Sequence, residues 1–211
     1  MLVGGITIAT IGGVCFETQT PGLVAMVLAA VVVAYDAGLK HTPLGPLAMG
    51  TCRGLNGLLG MSVAFDQIES NLVGVIFLGV TVYIVGVTWF ARSEEVTSDR
   101  RKLSIAAVVA ISGIAILGVG VWHTYSGFFR LNPLGWAMLW CVVGLHSGRR
   151  FVAAIIQPTP SKVQGAVGNA LRSIILINTA LACGIAGPVW GLGILLLLPP
   201  TMFMARFIPQ T

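Results

Sequence analysis

The sequence predicts an all-α membrane protein, a polytopic transmembrane helical bundle of about eight membrane-spanning helices. Of its 211 residues, 56% are apolar and only 9% are charged, and the mean hydropathy is +0.92. An ordinary soluble domain has about 25% charged residues. Because the apolar residues are gathered into long uncharged blocks, residues 1–211 are predicted to form a single transmembrane domain.

Eight blocks with almost no charged residues predict the helices, since about 20 apolar residues span the hydrocarbon core of a bilayer. They run over residues 1–14, 22–35, 46–65, 71–91, 104–122, 132–146, 168–186 and 188–205. The first block is short for a span and lacks the cationic leader and cleavage site of a secretory signal, which predicts a mature helix. Only Gly187-Pro188 separates the last two blocks, so the count of eight depends on that break.

The third block contains Gly50, Gly54 and Gly57, which are four and three residues apart. Residues at these spacings lie on one face of a helix. Small residues on one face allow membrane helices to approach closely. The sequence therefore predicts that this face packs against another helix.

The loops between the blocks contain very unequal numbers of cations. When the loops are assigned alternately to the two sides of the membrane, one side receives nine lysines and arginines and the other side receives only Arg130. The nine are Lys40, Arg92, Arg100, Arg101, Lys102, Arg149, Arg150, Lys162 and Arg206. Because cytoplasmic loops are rich in such residues, the basic loops and both termini are predicted to be cytoplasmic, in the cell (inner or plasma) membrane.

Several classes of function are disfavoured by the sequence. The net charge of +5 does not predict nucleic-acid binding, because no basic run is interleaved with exposed aromatic residues. The four cysteines are far apart and lack metal-ligand spacing. The sequence has no HExxH, P-loop, GxGxxG or Ser-His-Asp pattern, which argues against zinc proteases, nucleotide-driven enzymes and hydrolases.

Arg53 and Asn56 are polar residues inside the third block. Arg53 lies about 12 Å from the cytoplasmic end of the predicted helix, where an uncompensated arginine costs several kcal/mol. We therefore expect Arg53 to face a polar cavity that opens toward the cytoplasm; the alternative is a structural arginine that bridges helices through backbone carbonyls. Lys40, at the end of the preceding helix, would share the mouth of that cavity or serve as an interfacial anchor.

The most charged stretch is WFARSEEVTSDRRKL, residues 89–103. If the fourth helix continues through it, Glu95 and Asp99 are four residues apart and share one face. Mg²⁺ takes one or two carboxylates and completes its shell with phosphate oxygens and water. This stretch could therefore hold Mg²⁺ against a diphosphate; the alternative is an ordinary solvated loop.

Three segments occur in order between Tyr35 and Leu181: YDAGLK through MGTCRGLNGLLG, then YIVGVTWFARSEEVTSDRRKL, then PTPSKVQGAVGNALRSIILINTAL. Together they resemble the UbiA-type intramembrane prenyltransferases, in a divergent branch that shares the CRGLN signature. The resemblance implies a helical bundle around a cavity open to lipid. In that family, Mg²⁺ helps to hold a prenyl diphosphate, and the prenyl group passes to an aromatic or lipid-soluble acceptor.

The resemblance also implies site residues. Those expected near the diphosphate are Tyr35, Lys40, Arg53, Asn56 and Arg92, and those expected to bind Mg²⁺ are Glu94, Glu95 and Asp99. The family's first acidic motif, NDxxDxxxD, is absent from this chain together with about two helices. We therefore expect an N-terminally incomplete family member with little transferase activity on its own.

Two other functions stay open. A small membrane transporter would use Arg53, Arg172 and Asn178 to line a substrate path, and internal inverted repeats, which the two halves do not show, would favour it. A catalytically inactive accessory or lipid-binding family member would bind an isoprenoid diphosphate without turnover.

Overall fold

The computed structural model describes residues 20–92, 99–125 and 129–204, and within these ranges the ordered elements are all helical. The helices are α1 (Thr20–Ala37), α2 (Gly45–Met61), α3 (Ser70–Arg92), α4 (Arg100–Thr124), α5 (Pro133–Ile156), α6 (Pro160–Ile185), α7 (Pro188–Leu195) and α8 (Leu198–Met204). Short 3₁₀ segments, Leu39–His41 and Ser62–Gln67, flank α2. The predicted all-α fold class is confirmed.

Five of these helices, α1, α3, α4, α5 and α6, are long and apolar enough to cross a membrane. They identify a membrane-embedded, multi-pass protein. Helix α2 has 17 residues, and the α7–α8 segment is a shorter apolar stretch. The predicted first helix, residues 1–14, lies outside the described residues.

The last predicted block, 188–205, is divided into two helices instead of forming one. Helix α7 ends at Leu195, and α8 begins at Leu198. Pro199 and Pro200 follow directly. A proline ring collides with the carbonyl four residues earlier and has no N–H to donate, so Pro199 prevents α7 from continuing.

Helices α5 and α6 are longer than the apolar blocks that predicted them. Helix α5 continues ten residues past 146, through Arg149 and Arg150, because charged residues are compatible with a helix even where they end an apolar block. Pro158 disfavours helical backbone at Gln157, and Pro160 begins α6 at a position where a proline needs no N–H partner.

The described part of one compact unit, Met1–Trp89 with Val108–Tyr125, contains α1, α2 and most of α3 and α4. Helix α1 packs on α2, and α2 packs on α3. A Cβ atom added at Gly50 would lie 2.6 Å from the Thr81 carbonyl oxygen, and one added at Gly54 would collide with the Thr81 side chain. Gly57 has open space around it. The predicted glycine seam is therefore confirmed at two positions and is wrong at the third.

In the same unit, α3 and α4 come into backbone contact. A Cβ atom added at Gly113 would lie 2.7 Å from the Tyr83 Cα and 2.8 Å from the Gly79 carbonyl oxygen. Tyr83 is 1% exposed, and Leu117, which fills the space beside Gly79, is 0% exposed. Only glycine at these positions permits this approach.

The second unit, Phe90–Ala107 with Ser126–Thr211, contains α5, α6 and α7 in its described part. Helix α6 packs on both α5 and α7. Trp136 packs where a Cβ atom of Gly184 would otherwise lie. Gly187 joins α6 to α7 with φ of 111°, a left-handed conformation that favours glycine.

Candidate functional site

The turn between α1 and α2 contains the first two predicted site residues. Tyr35 is half-buried near the end of α1, and Lys40 is exposed in the 3₁₀ segment. The Thr42 hydroxyl donates a hydrogen bond of 2.8 Å to the Leu39 carbonyl oxygen and accepts one of 3.3 Å from the Leu44 amide. These bonds close the turn and bring the chain directly back into α2.

Arg53 and Asn56 lie on an exposed face of α2. Arg53 is the ninth of the 17 residues of this helix, so it lies at its midpoint, about 12 Å from either end. Arg53, Asn56, Gly57 and Gly60 are all exposed, and their spacings of three, four and seven residues place them on one face. This face therefore presents one cation, one amide and two glycines, with no large apolar side chain.

The exposed face of α1 has the opposite character. Leu23, Met26, Val27 and Val33 are between 51% and 57% exposed. Apolar side chains exposed along a membrane helix suit contact with lipid, whereas an arginine at mid-helix does not. The face of α2 around Arg53 is thus chemically distinct from a lipid-facing surface.

Further polar groups lie close to Arg53, among them a buried hydroxyl and an exposed carboxylate. The Thr81 hydroxyl is buried against Gly54 and has no hydrogen-bond partner among the described residues. Asp36 and Arg53 both act electrostatically on the thiol of Cys52, which is half-buried. Asp36 therefore belongs to the same polar region; the only sequence signal for it was its position next to Tyr35.

The other predicted site residues belong to the second unit. Arg92 is the last residue of α3 and is half-buried. Asp99 is exposed and caps α4, because its Oδ1 accepts a hydrogen bond of 2.9 Å from the Arg101 amide. Glu94 and Glu95 lie outside the described residues. The described part of α3 extends to Arg92, and Asp99 belongs to the start of the next helix.

Because Asp99 caps α4, fewer of its carboxylate oxygens are available to bind a metal ion. One of its carboxylate oxygens is engaged by the helix, which leaves the other for a cation. In the described parts of the chain, no three His, Cys, Asp or Glu side chains are grouped in a way that could hold a metal ion. A Mg²⁺ site on this stretch would depend on Glu94 and Glu95.

A buried polar seam between α5 and α6 contains none of the predicted site residues. The Ser147 hydroxyl donates to the Ser173 hydroxyl at 3.0 Å, which donates in turn to the Asn169 carbonyl oxygen at 2.9 Å. The Asn169 amide donates to the His146 carbonyl oxygen at 3.1 Å. Serine and asparagine at helical spacing within apolar blocks could have indicated this seam.

Arg172 and Asn178, the residues considered for a transport path, are placed differently from each other. Arg172 is half-buried, and its Nε donates a hydrogen bond of 3.1 Å to the Gly168 carbonyl oxygen in its own helix. Asn178 is exposed. Arg172 is therefore held against its own helix backbone.

The structure brings Tyr35, Lys40, Arg53 and Asn56 into one unit and places Arg92 and Asp99 in the other. Comparison of the chain with protein-family models, with curated proteins and with solved structures found no match.

Proposed function

We propose that this chain is a UbiA-like membrane prenyltransferase that binds a prenyl diphosphate and transfers the prenyl group to an aromatic or lipid-soluble acceptor. The observation that carries the proposal is the polar face of α2, where Arg53 and Asn56 are exposed at the middle of an apolar helix. A planar guanidinium donates paired hydrogen bonds to phosphate oxygens, and an amide can add another.

The geometry of the first unit supports this proposal. Gly57 and Gly60 leave the surface beside Arg53 and Asn56 open, so a ligand can approach the helix backbone closely. Lys40 lies in the turn that precedes the same helix, and we propose it as a second cation for the diphosphate. The apolar face of α1 supplies a surface that suits an isoprenoid tail.

We propose eight membrane-spanning helices, with the basic loops and both termini in the cytoplasm. The diphosphate would then enter from the cytoplasmic side, where Lys40 and Arg92 are expected. Mg²⁺, held by Glu94, Glu95 and the free oxygen of Asp99, would neutralise charge on the leaving diphosphate.

Binding and turnover are tested separately. Geranyl diphosphate and longer prenyl diphosphates are titrated against the purified chain in detergent, with binding followed by tryptophan fluorescence. Loss of a charged hydrogen-bond partner costs about 1.5–3 kcal/mol, so we expect Arg53→Gln to weaken binding at least about tenfold. Arg130→Gln, which also removes one exposed arginine, is the matched control and should bind like the wild type. Equal affinities for the wild type and Arg53→Gln would refute the diphosphate site.

Turnover is measured as Mg²⁺-dependent release of diphosphate in the presence of candidate acceptors. Because the family's first acidic motif is absent, we expect little release from this chain alone. Fast release that is lost in Glu95→Gln would show that the missing motif is dispensable.

A catalytically inactive, lipid-binding family member is the second candidate. It is favoured by the capping role of Asp99, whose Oδ1 is engaged by the Arg101 amide of its own helix. Tight binding of prenyl diphosphate without release of diphosphate would identify this candidate. A transporter is less favoured, since Arg172 is bonded to its own helix.

A further inference from the structure

The exposed face of α5 changes character along its length. Leu134 and Leu145 are each 66% exposed, and the face between them also exposes Met138 and Val142. The following turn exposes cations instead, with Arg149 and Arg150 both on the surface. An apolar surface thus leads directly to a dibasic one on the same helix.

The position of the two arginines matches the thickness of a membrane. Arg149 lies 16 residues after Pro133, the first residue of α5, which corresponds to about 24 Å along the helix. The hydrocarbon core is about 30 Å thick, and a long arginine side chain can reach several ångströms further toward the headgroups. With the start of α5 at one surface, Arg149 and Arg150 reach the headgroup layer of the other.

Helices α5 and α6 provide no counter-charge for these arginines. From Arg100 to Thr211 the sequence contains nine lysines and arginines and no Asp or Glu. Lys162, near the start of α6, donates a hydrogen bond to the neutral side chain of Gln157. A carboxylate side chain that pairs with Arg149 or Arg150 must therefore come from before Arg100.

The turn that presents the arginines is held in place from its inner side. Ser147 and Phe151 are each 1% exposed. The Ser147 hydroxyl bonds to Ser173 of α6, and the Phe151 ring lies 4.9 Å from the Phe90 ring. Because both neighbours are fixed, the outward position of the arginines is set before any ligand binds.

We propose that Arg149 and Arg150 bind the headgroup of an anionic phospholipid whose acyl chains lie along the apolar face from Leu134 to Leu145. The guanidinium groups donate charge-assisted hydrogen bonds to the phosphate oxygens. Clusters of cations beside transmembrane helices attract anionic lipids in this way. The site shares no residue with the proposed diphosphate site, so either can fail without the other.

The test measures the preference of the full-length chain for phosphatidylglycerol over phosphatidylcholine. The protein is reconstituted with mixtures in which one lipid has brominated acyl chains, and quenching of tryptophan fluorescence reports the relative affinity. Each cation near an anionic headgroup contributes about fivefold, so Arg149→Gln with Arg150→Gln should reduce the preference by an order of magnitude or more. Arg149→Lys with Arg150→Lys keeps the charge and should keep most of the preference.

Arg130→Gln is the control for loss of an arbitrary exposed arginine and should leave the preference unchanged. Inorganic phosphate at millimolar concentration should not reduce it, since the acyl chains contribute to binding. A wild-type protein without preference, or an unchanged preference in the double glutamine variant, would overturn the proposal. A preference that rises in Glu94→Gln with Glu95→Gln would also overturn it, because the arginines would then be paired within the chain.

Discussion

At the scale of single residues, identical amino acids in one helix have different roles. Gly50, Gly54 and Gly57 fit one small-residue pattern in the sequence, yet only the first two lie against α3. The pattern identifies residues that could allow close packing. It does not fix the rotation of the helix about its axis, and that rotation decides which glycines meet a neighbour.

Because Gly50 lies against α3 and Gly57 does not, replacement of each by alanine should have different effects on stability. The new methyl group at residue 50 would collide with the Thr81 carbonyl oxygen, which is backbone and cannot yield easily. We expect Gly50→Ala to destabilise the protein by about 1–3 kcal/mol. Gly57→Ala meets open space and should be neutral or stabilising by about 0.5–1 kcal/mol. Unfolding by SDS in mixed micelles, followed by circular dichroism, measures both; equal effects would contradict the seam.

For Arg53, too, the sequence identifies the residue but does not specify its contacts. Its position inside an apolar block was sufficient to predict a polar environment. The exposure of Arg53 and its closeness to Asp36 follow only from the way in which α1 packs on α2. Sequence alone therefore identified the candidate residue but not its surroundings.

At the scale of helices, the starts and ends follow local chemistry. Six of the eight helices have proline as their first or second residue, and Asn132 caps α5 by accepting a 2.7 Å hydrogen bond from the Gly135 amide. These signals are local, so the sequence contains them. Pairing of α5 with α6 involves instead hydrogen bonds between residues 23 and 26 positions apart in the sequence.

Two buried hydroxyls of α6 should respond differently to removal. Ser173 is 0% exposed and accepts a hydrogen bond from Ser147, whereas the Thr179 hydroxyl has no partner among the described residues. We expect Ser173→Ala to cost about 1 kcal/mol, a typical value for a hydrogen bond between membrane helices.

Thr179→Val is the matched variant, because it replaces an unbonded hydroxyl by a methyl group of similar size. We expect it to be neutral or slightly stabilising. The same unfolding titration compares the two variants. A Ser173→Ala variant as stable as the wild type would show that the Ser147–Ser173 bond contributes nothing to the pairing of α5 and α6.

At the scale of the whole molecule, the distribution of charge predicts the orientation in the membrane. We expect Arg130 outside the cytoplasm and Lys162 inside it, and both side chains are exposed. In intact cells, a membrane-impermeant thiol reagent should label Arg130→Cys at once and Lys162→Cys only after permeabilisation. The wild type measures the background from the native cysteines. Labelling of Lys162→Cys in intact cells would reverse the orientation and the proposed side of entry for the diphosphate.

The sequence by itself determined the fold class, the membrane environment and most helix boundaries, because hydropathy, proline and capping residues act over a few neighbouring positions. Only the tertiary structure decided that Gly57 faces open space, that Ser147 bonds to Ser173 and that Arg53 shares an exposed face with two glycines. These features depend on how each helix is rotated against its neighbours. That rotation is set by the combined packing of residues far apart in the chain, which no local pattern specifies.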